Sequence, residues 1–273
     1  VAHTHVLSQS VYQLGPDNEA HRQEVSNLLK GIAIDYAICN SLETRHIAQY
    51  TDELGIRTIM LMHEVPDLYP VADLEFAMDK ISHVVFPSNF IKDKMLGMTE
   101  LNSGFYSVIG QGLLNDDFGH WPRDVARDQV LKEFSLPSDA FIVAGCGTID
   151  FRKGIDHYIA TASKVLAQVK QDKPVYFLWF GYGDRRPGTP AGFVIDQLKQ
   201  QGLQDRVRFV GARPDMPRYM AACDVFLMSS RADPFPCVIH EALASALPVV
   251  YFNEGGGAGE LVQEDGAGVT IGD

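Results

Sequence analysis

Basic side chains, long apolar runs and paired cysteines are all scarce in this chain, and each shortage removes a class of function. Only 23 Lys and Arg stand against 35 Asp and Glu, for a formal net charge of −12. That balance argues against a nucleic-acid surface and against general adhesion to anionic lipid, while leaving room for a local basic pocket. No apolar run approaches bilayer-spanning length and no signal-like start is present, so a cytoplasmic location is expected, at most peripheral at the inner face of a membrane. The four cysteines (Cys39, Cys146, Cys223, Cys237) are scattered and lack metal-ligand spacing, which reads as free thiols in a reducing compartment. His3, His5, His21, His46, His83, His120, His157 and His240 show no mutual metal-site spacing, and no Asp-x-Asp, P-loop or Gly-x-Ser-x-Gly elbow occurs. Neither a metal nor a cofactor is expected.

What is present is an alternation of strand-length apolar runs with amphipathic stretches, the pattern of an α/β fold with mainly parallel sheets. Residues 33–39, 58–62, 84–87, 106–109, 141–145, 175–180, 207–210, 225–228 and 249–252 read as strands. Residues 123–134, 155–169, 193–200, 217–222 and 238–246 read as helices, and 90–98 as a weakly amphipathic surface helix carrying Lys92 and Lys94. The run 113–122 loses periodicity and gains turn formers, which sets an expected boundary between domains 1–118 and 119–273. Two α/β domains with a crevice between them would bind ligands at the carboxyl ends of their strands. The chain begins with Val and stops at the strand-like Gly-Val-Thr-Ile-Gly-Asp, so truncation at both ends is expected, with both domains incomplete.

Three segments could carry chemistry. In the first, a strand runs out through Gly145, Cys146, Gly147 and Thr148 and re-enters a helix behind Arg152, Lys153 and Gly154. Such a loop can offer two cations to a diphosphate, helped by the positive helix start; it can equally be a solvated turn. As a dinucleotide fingerprint it fails, because the third glycine is missing. In the second, Asp233 and Glu241 bracket Asp-Pro-Phe-Pro-Cys-Val-Ile-His-Glu, with the glycine loop 255–259 behind them. Glu241 could accept from both hydroxyls of a vicinal diol, and backbone amides of the glycine loop could approach a phosphate. The plainer alternative is a turn aspartate and an exposed helix acid. In the third, His63 and Glu64 follow a strand at its carboxyl end, and a lone histidine there is more often structural than catalytic. Tyr182, at the exit of an aromatic-rich strand, is a candidate pocket residue.

Taken in order, 147–154, 180–183, 210–211, 221–226, 233–241 and 256–260 resemble the retaining glycosyltransferases of family 4, in an Asp-Pro-Phe-Pro branch. The resemblance implies the GT-B fold, two facing Rossmann-like domains, and transfer of a sugar from a nucleotide-diphosphate sugar to an acceptor hydroxyl without a metal. By position it makes Lys153 the neutraliser of the diphosphate, Glu241 the ribose binder and Asp233 the acid near the donor sugar. It places the amides of Gly256 and Gly257 on phosphates and sugar, His63 near the transferred sugar, and Gly211 and Arg213 beside the base. Gly147, Thr148, Arg152, Tyr182 and Phe235 complete the implied donor site. Departures exist: Asp233 stands for the usual glutamate, and Thr148 for an arginine whose charge Arg152 would replace. The amino-terminal glycine-rich loop, the first strands and the terminal helices of the family are missing. The implied partners are a UDP- or GDP-sugar and a glycan or lipid-linked acceptor in cell-surface polysaccharide or other glycan synthesis. A GT-B-like nucleotide-sugar epimerase and a degenerate nucleotide- or carbohydrate-binding module are the alternatives.

Overall fold

A computed structural model describes residues 19–113, 116–169, 173–184, 186, 188–253, 255–264 and 266–271. The chain divides into two compact units, Val1–Gly110 and Gln111–Asp273. The division falls ahead of the expected boundary at 118/119 because the turn-rich run is not apolar-free. Phe118 is buried in the core of the second unit, and Leu113 and Trp121 pack against that core.

In the first unit the described elements are α1 (Glu19–Leu29), β1 (Tyr36–Cys39), α2 (Arg45–Glu53), β2 (Arg57–Leu61), α3 (Val71–Asp79), β3 (His83–Phe86), α4 (Asn89–Met98) and β4 (Tyr106–Val108). The sheet is parallel in the order β1-β2-β3-β4. Because each strand joins its neighbour by a crossover in one direction, right-handed connections put the linking helices on a single face. Burial follows: Cys39, Met60, Val84 and Phe86 are closed off, while Ile38 on the alternate face is 67% exposed. Strand β1 is shorter than the expected 33–39, and α1, α2 and α3 lie where no helix was read.

The second unit contains α5 (Arg123–Glu133), β5 (Phe141–Cys146), α6 (Ile155–Gln168), β6 (Val175–Phe180), α7 (Pro190–Gln200), β7 (Val207–Gly211), α8 (Met216–Ala222), β8 (Val225–Met228), α9 (Cys237–Ala244), β9 (Val249–Phe252), α10 (Ala258–Glu264) and β10 (Gly268–Ile271). Its six parallel strands run β10-β9-β8-β5-β6-β7. From β5 the chain builds outward through β6 and β7, then returns to the other side of β5 and builds outward through β8, β9 and β10. The two directions put α6 and α7 on one face, with Ile155, Tyr158, Ile159 and Ala162 buried there, and α8 and α9 on the other beside α5. A parallel sheet covered on both faces explains why its strands read as nearly continuous apolar runs. Asp224, at the turn into β8, clasps α5 to the sheet: it pairs with Arg123 at 2.7 Å and Arg127 at 3.1 Å and accepts from the Ile142 amide at 2.7 Å.

Candidate functional site

The order of the second sheet reverses between β5 and β8, and the carboxyl ends flanking such a reversal form a ready-made crevice. The loops that leave these two strands carry Lys153 and Asp233. The Lys153 ammonium pairs with the Asp233 carboxylate, both side chains being largely withdrawn from solvent, at 16% and 8% exposure. The aliphatic stem of Lys153 is directed there by a glycine: a Cβ at Gly147 would sit 3.1 Å from Lys153 Cδ, and Gly147 has φ +144°. Two residues that the sequence did not single out hold the lysine from behind. Asp150 Oδ1 accepts from the Lys153 amide at 2.7 Å, and the buried Ser229 donates its hydroxyl to the Lys153 carbonyl at 3.0 Å. Gly154, at φ +65°, lets the chain pass this point, since a Cβ there would lie 1.7 Å from the Ser229 carbonyl oxygen. The Lys-Gly dipeptide before a helix was the available signal for this close approach.

The glycine loop leaves β9, the next strand over, and is tied to the same aspartate through its main chain. Asp233 and Gly256 form a parallel bridge in which the Asp233 amide donates to the Gly255 carbonyl at 3.0 Å and the Gly257 amide donates to the Asp233 carbonyl at 3.1 Å. A Cβ at Gly256 (φ +133°) would fall 1.9 Å from the Asp233 carbonyl oxygen. The Gly257 amide, which the resemblance placed on phosphates and sugar, is in this structure the donor to the Asp233 carbonyl. The loop is also shorter than 255–259, because Ala258 and Gly259 already belong to α10.

Glu241 sits on α9, which starts just after the Asp-Pro-Phe-Pro turn, and is half-buried; this burial holds its carboxyl above the usual carboxylate range. It shares an electrostatic neighbourhood with the lysine pair. Burial pushes the Cys146 thiol at the end of β5 up to about 12, with Glu241 adding to the rise and Lys153 opposing it. Burial likewise raises the Cys237 thiol at the start of α9, where Glu241 and Asp233 act in the same sense and Lys153 against them. The fold therefore brings Lys153, from one motif, to the Asp233 of the motif that also carries Glu241.

Other expected site residues are placed differently. Arg152 is exposed and donates to the Ala232 carbonyl at 3.1 Å, bracing the loop of Asp233. Beside it Arg231 pairs with Asp156 at 2.6 Å and keeps that carboxyl below its usual range. Thr148 is exposed in the same mouth, and Tyr182, 75% exposed after β6, accepts from the Ile149 amide through its carbonyl at 2.9 Å. Gly211 ends β7, with φ +81°, and its carbonyl accepts from the Gly181 amide at 3.1 Å. Arg213 turns toward α5, lying 3.7 Å from Glu133 and over the rings of Phe134 and Tyr219. Phe235 is buried against His240, with ring centroids 5.1 Å apart, and supports the turn from within. In the first unit His63 follows β2, its Nε2 3.0 Å from Asn40 Oδ1, and Glu64 accepts from the Leu42 amide at 3.1 Å. These residues gather at the carboxyl ends of β1 and β2.

Among the described residues no group of three or more His, Cys, Asp or Glu could hold a metal ion, and no helix is long and apolar enough to cross a membrane. His3 and His5 lie outside the described residues. On α4, Lys94 pairs with Asp67 and Lys92 lies 3.1 Å from Asp93, so this helix offers a compensated rather than a cationic face.

Residues 140–273, all in the second unit, match the family model described as glycosyl transferases group 1. Over 122 residues, 45% of the chain, it is 30% identical to the O-antigen biosynthesis glycosyltransferase WclY of Escherichia coli. Over 217 residues, 76% of the chain, it is 25% identical to the phosphatidylinositol N-acetylglucosaminyltransferase GPI3 subunit of Saccharomyces cerevisiae. The matched stretches span 31% of the WclY length and 45% of the GPI3 length. In structure the chain is similar to Anabaena Alr3699/HepE solved in complex with UDP, with a TM-score of 0.78 and 22% identity over 92% of this chain and 68% of that one. The same Anabaena protein has been solved with UDP-glucose. The likeness shows the GT-B fold class: two α/β units, each built on a parallel sheet.

Proposed function

We propose that this chain carries a retaining glycosyltransferase activity, moving a sugar from a nucleotide-diphosphate sugar to an acceptor hydroxyl without a metal, in polysaccharide or other glycan synthesis. The observation that carries the reading is the Lys153 ammonium held by Asp233 at the β5/β8 reversal, where the glycine loop is bridged to the same aspartate. A diphosphate leaving group gains negative charge as the glycosidic bond breaks, and a largely buried cation within reach stabilises that charge. Arg152, on the rim of the same loop, adds a second cation. Glu241 accepts from the ribose hydroxyls, and a half-buried carboxylate suits that task because hydrogen bonds there compete less with water. His63, on the first unit, orients the transferred sugar. The UDP and UDP-glucose bound by the Anabaena protein support a uridine donor, with GDP-sugars as the next class to test. The acceptor is a glycan or lipid-linked hydroxyl, and the site of action is the cytoplasm or the inner membrane face.

The test is a donor screen. UDP-, GDP- and ADP-sugars are added to the protein while thermal unfolding, sugar transfer, hydrolysis and epimer formation are followed. A ligand at about 100 times its Kd stabilises by about 2.7 kcal/mol, which a thermal shift reads directly. The true donor is expected to raise Tm and to give transfer or slow hydrolysis, and Lys153→Ala is expected to lower turnover on the order of 10²–10³-fold. Epimer formation, binding without turnover in the presence of acceptors, or no binding by any nucleotide sugar would each overturn the proposal.

A further inference from the structure

We infer that Asp233 works through Lys153, as an internal anion that positions the ammonium and competes with the diphosphate for it, so that the nucleoside diphosphate product is released. The inference rests on the proposed glycosyl transfer and moves Asp233 away from direct contact with the sugar.

Three observations carry it. First, the Asp233 carboxylate is 8% exposed and its Oδ2 is committed to Lys153 Nζ, so the lysine is neutralised before any ligand arrives. Second, the pair closes the same junction as the backbone bridge of Asp233 with Gly255 and Gly257. The carboxylate is thereby fixed by main-chain bonds that owe nothing to its charge. Third, the ammonium is reached along a constrained stem lying over Gly147, with its backbone held by Asp150 and Ser229, so the lysine can shift its head group but not retreat.

A buried lone ammonium would bind a dianionic diphosphate tightly and hold the product as firmly as the substrate. Tight binding common to substrate and product raises affinity without raising turnover. An aspartate already in contact subtracts from that affinity in every state. It also returns the ammonium to its resting position once the product leaves, with no proton transfer required. The chain's shorter acid suits this role: aspartate reaches Lys153 from a backbone tied down two atoms away, where a glutamate would place its charge one carbon further out.

The experiment measures UDP and GDP affinity by calorimetry, together with kcat and KM, for the wild type, Asp233→Asn and Asp233→Glu. Asparagine keeps the shape and the backbone bridge but removes the competing charge. It is expected to tighten nucleoside diphosphate binding by about tenfold while lowering kcat, a split that a merely structural role would not produce. Asp233→Glu restores the charge and is expected to return the affinity to within about threefold of wild type. In a Lys153→Met background, Asp233→Asn is expected to leave the affinity unchanged, because the competitor then has nothing to compete for. Unchanged or weaker diphosphate binding by Asp233→Asn overturns the inference. So does weakened nucleotide-sugar binding at constant diphosphate affinity, which would put Asp233 on the sugar. A wild type that binds neither UDP nor GDP overturns the proposed function itself, so the two failures are distinguishable.

Discussion

Gly256→Ala tests whether the glycine loop is held by the aspartate bridge. At φ +133° the alanine enters a backbone region that L-residues rarely adopt, at a cost of about 1–3 kcal/mol. Its Cβ would also lie 1.9 Å from the Asp233 carbonyl oxygen and 2.8 Å from the carbonyl carbon, both rigid backbone atoms. The strand pair must open to relieve that overlap, which endangers the two bridge hydrogen bonds at about 0.5–1.5 kcal/mol each. The total is about 2–6 kcal/mol. Gly202→Ala is the control: it has φ +67° but nothing within 4 Å of a new Cβ, so only backbone strain of about 1–2 kcal/mol applies. Both tryptophans, Trp121 and Trp179, belong to the unit Gln111–Asp273, so urea unfolding followed by tryptophan fluorescence reports that unit. Equal losses for the two variants, with unchanged m, would refute the claim that Gly256 is needed for close approach rather than for turn geometry alone.

Glu241 gives a prediction in pH. Its carboxyl is raised by burial, so the folded state keeps the proton to higher pH than the unfolded chain, whose glutamates titrate near about 4.3. Stability therefore falls as pH rises from that value through the folded pKa, and Glu241→Gln is expected to flatten this slope while weakening nucleoside diphosphate binding at neutral pH. Denaturant midpoints between pH 4 and pH 7 check the first effect; a slope identical to wild type would contradict the burial argument. Asp224→Ala removes the acceptor of Arg123, Arg127 and the Ile142 amide and is expected to cost about 3 kcal/mol, because two guanidiniums and a strand amide lose their shared partner. A loss below about 1 kcal/mol in urea unfolding would reduce the clasp to an ordinary surface pair.

The strands of the second sheet were legible because a parallel sheet buried on both faces must be apolar at consecutive positions: 175–180, 225–228 and 249–252 match β6, β8 and β9 residue for residue. The first unit was harder to read. Its helices α2 and α3 cover only one face of a four-stranded sheet, and their first turns and caps carry few distinctive residues; α3, for example, has no side-chain cap hydrogen bond. Arg213 and Phe235 have surroundings that no sequence window contains. Each stands at a motif position, yet one is drawn to Glu133 and the aromatic rings beside α5, and the other is buried beneath the turn.

The local chemistry of the site is therefore written in the chain: a lysine before a left-handed glycine, a proline-stiffened aspartate and a glycine loop, each following an apolar strand, and a glutamate on the helix behind the aspartate. What no sequence window contains is the encounter between them. Lys153 and Asp233 lie eighty residues apart and meet because the strand order reverses between β5 and β8, bringing the two loops side by side. The same tertiary arrangement commits the Gly257 amide to the Asp233 carbonyl and neutralises the lysine with the aspartate before a ligand is present. Local sequence determines which groups are available. Which of them are already partnered depends on long-range strand order, because a buried charge or amide takes whichever partner the fold sets within reach.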